Sequence, residues 1–135
     1  HTWFHGAHHV TGGTGFAGDH SSLYSRIYED IQGDFDDVAE KAVGLVGEEA
    51  ACPVRIMQNA AKIIAKYKSP CDLSADEIAD EGLSIIESYL KFLEKAYQML
   101  KKKNLLTLGL DDFIMSMAND YETFVYLLKQ RSSDE

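Results

Sequence analysis

Cysteine is scarce in this chain. Cys52 and Cys71 are the two among 135 residues, too few for a disulfide framework. Neither belongs to a CxxC pair of the kind that binds structural zinc or runs thiol chemistry. Two reduced cysteines in a cytoplasmic protein are the plain reading, with a single bridge across the Pro53 segment as the alternative. Proline is equally rare, with two residues, and strand-like alternation is infrequent, which argues against a β-rich fold. No apolar run approaches the roughly 20 residues that span a bilayer, so no membrane partner is expected. Nothing reads as a signal peptide, although the chain opens on His1 and not Met, so that residues upstream are expected. Positive charge is also lacking, and the net charge is −9. Nucleic-acid affinity rests on Lys and Arg neutralising phosphates. The one basic cluster, Lys101-Lys102-Lys103, suits a solvated helix end. DNA is thus an unexpected partner for the visible residues, whereas an acidic balance attracts metal cations.

What is present points to helices. Apolar residues make up 45% and charged residues 26%, the balance of a soluble chain with a core, and the length suits one domain, 1–135. The central stretch is Asp19 to Gly47. Leu23, Ile27, Ile31, Phe35, Val38, Ala42 and Leu45 recur there in steps of four and three, the period of a helix. Asp19 is placed to cap this helix and Gly47 to end it. Upstream, His1 to His9 holds four histidines and reads as the last turns of a helix. A glycine-rich loop follows, with Phe16 as its expected core anchor. Downstream, Pro53 starts a shorter helix to about Tyr67, with Val54, Met57, Ala61, Ile64 and Ala65 on one face. Ser74 and Glu77 form a capping box. A long helix then runs to about Lys103 on an Ile86, Leu90, Leu93, Tyr97, Leu100 stripe. A last helix from about Leu110 turns Phe113, Ile114, Met117, Tyr121, Phe124, Val125 and Leu128 inward. The expected fold is all-α, a four-helix bundle whose middle connection carries a short extra helix.

Asp36 and Glu40 stand four apart on the long helix and share a face beside its apolar stripe. Carboxylates so placed are costly unless a cation meets them, and a hard metal ion is a candidate. His8 and His20 are the imidazoles that the same pattern offers. Read alone, they could equally be loop and cap histidines.

The order of elements and these residues resembles the Dps-like mini-ferritins of the ferritin-like superfamily. His8, a loop with Gly13 and Phe16, and His20 follow that family's first motif. Phe35-Asp36-Asp37-Val38-Ala39-Glu40-Lys41, then Gly44-Leu45-Val46-Gly47, is similar to its second-helix segment, and Phe124 to Leu128 to its final helix. The resemblance implies a homo-oligomeric shell, a dodecamer, that oxidises Fe(II) with peroxide or oxygen and stores ferric iron inside. His8 and His20 of one subunit and Asp36 and Glu40 of its neighbour would hold the iron. Asp111 and Asp112 would fall near acidic pores that admit it.

The chain departs from that pattern in three places. Tyr24 stands where the family has a carboxylate, leaving Asp19 or Glu29 as replacement ligands. His9 stands where it has tryptophan, and is a possible further metal contact. Sixteen residues lead from His20 to Asp36, one more than usual. An additional residue turns a helix by ~100°, so an irregularity such as a π-bulge is expected between Tyr24 and Asp36, most easily at Gly33. A DNA-coating shell, or a structural shell with an impaired metal site, are the competing functions.

Overall fold

Local start and stop signals set the helices. In the computed structural model, which describes residues 1–132, there are five α-helices and no strand among the described residues: α1 (Thr2–Val10), α2 (Ser25–Val46), α3 (Pro53–Ile64), α4 (Ala75–Lys102) and α5 (Leu108–Ser132). The all-α expectation holds. Proline occupies the first position of α3, where its missing N–H costs no hydrogen bond. Gly47 ends α2 at φ 98° and ψ −179°, a conformation open essentially to glycine. Before α4 the capping box closes as the sequence suggests. The Ser74 N–H donates to Glu77 Oε1 at 3.0 Å and the Glu77 N–H to Ser74 Oγ at 3.2 Å. Short 3₁₀ turns at Glu48–Ala51 and Pro70–Asp72 link the helices on either side of α3.

The residues group into two compact units, His1–Ile78 and Ala79 onward. In the first, α1 packs on α2 and on the Pro70–Asp72 turn. Trp3 and Phe4 meet edge to face at 5.1 Å, and the Trp3 indole N–H donates to the Lys68 carbonyl at 2.9 Å. Phe4, Ala7, Tyr24 and Ile27 are fully enclosed. In the second unit the expected stripes are buried at Ile86, Leu93 and Leu100 of α4 and at Ile114, Met117, Tyr121, Phe124 and Leu128 of α5. Tyr121 packs with its ring tilted against Tyr89 at 5.0 Å and against Phe124 at 5.5 Å.

Three expectations need correction. The long helix is not regular from Asp19: Gly18–Tyr24 forms a π-helical turn, and the α-helix proper starts at Ser25. The irregularity therefore lies before Tyr24, while Gly33 sits inside an unbroken α-helix. Asp19 is not an N-cap either. It is buried within the π turn, whose cap position is Ala17. Phe16 is not a core anchor. It stays largely exposed and lies flat against the His20 ring at 4.9 Å. A fourth feature was not visible in periodicity. The apolar face of α3 lies open, with Val54, Met57, Ile63 and Ile64 exposed, as are Phe35, Val38, Leu45 and Val46 on the second half of α2.

Candidate functional site: an imidazole cluster and a carboxylate ridge

Eleven residues separate His8 and His20 in sequence, yet their rings stack at 3.7 Å, tilted by 14°. Each ring is pinned by the other's backbone. His8 Nδ1 donates to the His20 carbonyl at 2.6 Å, and His20 Nδ1 to the His8 carbonyl at 2.6 Å. A carbonyl oxygen can only accept, so both Nδ1 atoms carry a proton, and in the neutral rings both Nε2 atoms keep a lone pair. This is the tautomer that a metal ligand needs, fixed by the kind of partner that usually orients one.

The π turn makes the exchange possible. Its wide spiral bonds the Ser25 N–H to the His20 carbonyl five residues back. The same carbonyl takes the His8 proton, so that one oxygen serves both helix and ring pair. A π turn inserts one residue into a helix, and here it does so within Gly18–Tyr24, upstream of Asp36.

Other rings crowd this corner. Tyr28, one turn along α2 from Tyr24, lies 5.2 Å from His8 and 4.7 Å from His5. His5 and His9, four apart on α1, bring Nε2 to Nε2 at 3.3 Å. Partial desolvation, then charge on the neighbouring His8, His5 and His20, holds the His9 imidazole below its ordinary pKa. The His5–His9 spacing was in the sequence, and a four-residue repeat of histidine on a helix is the signal that would have found this pair.

The acidic candidates behave differently. Asp36 and Glu40 are both exposed on α2, one turn apart. At about 1.5 Å per residue they lie about 24 Å and about 30 Å along the helix from His20, too far to share an ion with it in one chain. Among the described residues no group of three or more His, Cys, Asp or Glu side chains is set to hold a metal. Neither Asp19 nor Glu29 therefore completes a three-ligand group around His8 and His20 within a single chain. Glu29 instead accepts from the Ser25 hydroxyl at 3.3 Å. Tyr24 is 0% exposed and packs against Phe4 with centroids 6.3 Å apart. It fills space where the resemblance would put a ligand.

Of the proposed pore residues, Asp112 is exposed. Asp111, in the first turn of α5, accepts from the Tyr97 hydroxyl at 3.5 Å. Desolvation, with the Asp111 charge behind it, raises the Tyr97 pKa. Both cysteines are free thiols. No helix among the described residues is long and apolar enough to cross a membrane.

No family model matches this chain, and no curated protein or solved structure does either.

Proposed function

We propose that this chain is the subunit of a ferritin-like four-helix-bundle shell, a mini-ferritin dodecamer, that binds Fe(II), oxidises it and retains the ferric product. The observation that carries the reading is the reciprocal His8–His20 pair, which holds two imidazoles with both Nε2 lone pairs free to ligate. The metal is the substrate. His8 and His20 bind it from one copy, and Asp36 and Glu40 of a second copy supply the charge that ferric iron demands. Imidazole with carboxylate suits iron and leaves positions for an oxidant. Each Fe(II) gives up one electron. Hydrogen peroxide, taking a pair of electrons and a pair of protons, leaves as water.

The surroundings of the carboxylates support a second copy as their partner. Phe35, 55% exposed, and Val38 flank Asp36 and Glu40 on the same stretch of α2. Apolar groups beside paired acids are the pattern of a surface that another protein covers. Binding a cation there would also relieve like-charge repulsion between neighbouring turns.

The test is Fe(II) plus peroxide, followed by the absorbance of ferric product. His20→Ala combined with Asp36→Ala is expected to abolish the fast phase, and unchanged kinetics would reject the site. One observation favours a second reading. The enclosed Tyr24 removes a ligand position, which suits a structural shell with an impaired site. Particle mass with bound-metal content separates the two, since a shell that loads no iron supports the second.

A further inference from the structure

We propose that His5 and His9 form a bidentate binding site for Zn²⁺ on the exposed side of α1. The inference does not rest on the iron reading, because it uses a different pair of side chains.

The argument is geometric. His5 and His9 stand four apart on α1 and so lie one above the other on the same face. Both are exposed. Their Nε2 atoms face each other at 3.3 Å, with ring centroids 4.9 Å apart and the planes tilted by 60°. One N–H···N hydrogen bond joins them at the long end of the range, and a cation can take the place of the shared proton. Two nitrogens on one tetrahedral zinc, each about 2.0–2.1 Å from the ion, lie about 3.3–3.4 Å apart. A right-angled pair, as on a square-planar copper, would lie only about 2.9 Å apart. The observed separation is that of the tetrahedral edge.

The setting fits as well. The His5 ring is held by Tyr28, at 4.7 Å, so the pair needs little ordering to chelate. His8 is turned toward the other pair, since its ring stacks on His20 at 3.7 Å and is held there by the bond from its Nδ1 to the His20 carbonyl. Two protein ligands leave two positions of the tetrahedron to water or to a small anion. Structural zinc sites use four protein ligands and catalytic sites three, so this is an exchangeable site.

The experiment is calorimetric titration of ZnCl₂ into the iron-free chain and into His5→Ala, His9→Gln and His20→Ala, with Co²⁺ in place of zinc as a visible reporter of tetrahedral coordination. Zinc affinity is expected to fall about tenfold or more in His5→Ala and in His9→Gln, with loss of the cobalt bands, and to persist in His20→Ala. His9 is exposed, so His9→Gln keeps the test valid if His5→Ala disturbs the contact with Tyr28; helicity measured by circular dichroism confirms each fold. Zinc binding as tight in His9→Gln as in the unaltered chain would overturn the proposal. So would a loss in His20→Ala as large as that in His9→Gln, because the cation would then sit on the other pair.

Discussion

Two stretches of the first unit carry ligand-type side chains in opposite states. At the corner of α1 and the π turn, every ring has a neighbour and the two imidazoles that matter are locked by each other's carbonyls. Along the second half of α2 and the whole of α3, the carboxylates Asp36 and Glu40 stand in solvent beside uncovered Phe35 and Val38, and Met57 on α3 is 68% exposed. The first stretch is finished by its own chain. The second has the amphipathic pattern of a buried helix without the burial. Under the proposed reading, a site drawn from both would be half preformed and half contributed by a second copy; among the described residues a single chain gathers no group of three or more metal-holding side chains.

The sharpest way to break this contrast is to delete apolar volume on each side. Ile27 is fully enclosed, so Ile27→Ala should cost about 2–5 kcal/mol in chemical unfolding. Met57→Ala removes a side chain already in water and should stay within about 0.5 kcal/mol for the dissociated chain. The same Met57→Ala is expected to shift the particle mass toward smaller species if α3 is covered on assembly. Equal costs for the two variants in the dissociated chain would show that the two regions do not differ.

Next in size are two glycines of the open stretch that make opposite predictions. Gly47 holds φ 98° with nothing near a built Cβ, so only the backbone objects to a side chain there. Gly47→Ala should cost about 1–3 kcal/mol. Gly33 lies inside regular α2, also with open space at its Cβ. Gly33→Ala should therefore stabilise, by about 0.5–1 kcal/mol. A loss at Gly33 would return the helix irregularity to the position that the sequence suggested.

That displaced irregularity shows where sequence reasoning stops. Pro53, Gly47 and the Ser74–Glu77 box are local signals, and each appears where it was read, because a cap involves neighbours only a few residues away. The α4 and α5 stripes were legible for the same reason, since helical period and burial agree in them. Counting residues from His20 to Asp36 against the spacing that the resemblance implies suggested a helix irregularity but not its place. The π turn lies at the start of the helix, where the His20 carbonyl accepts from both the Ser25 N–H and His8 Nδ1, and a tertiary contact of that kind leaves no mark in residue spacing. Phe16 failed similarly: its loop is too glycine-rich to hold it inward, and the His20 ring offers it a flat partner outside. For α3, periodicity reported an apolar face correctly but carries no information on what covers it.

The smallest effect concerns the helix cap, where a local device is expected to act the same way on either side of the contrast. The Ser74 N–H, and then its hydroxyl, stabilise the charged form of Glu77 and lower its pKa below the ordinary 4.5, with Lys68 adding attraction and slight desolvation opposing. A carboxyl depressed in the folded state contributes stability above its ordinary pKa and loses it as pH falls through the lowered value. Glu77→Ala should thus be less stable than the unaltered chain by a constant margin from neutral pH down to about 5, and the margin should close on further acidification. Unfolding midpoints measured across that range read it directly. A margin that widened in acid would mean that the neutral carboxyl is the favoured partner of Ser74, and that the box is held by a different proton from the one its geometry implies.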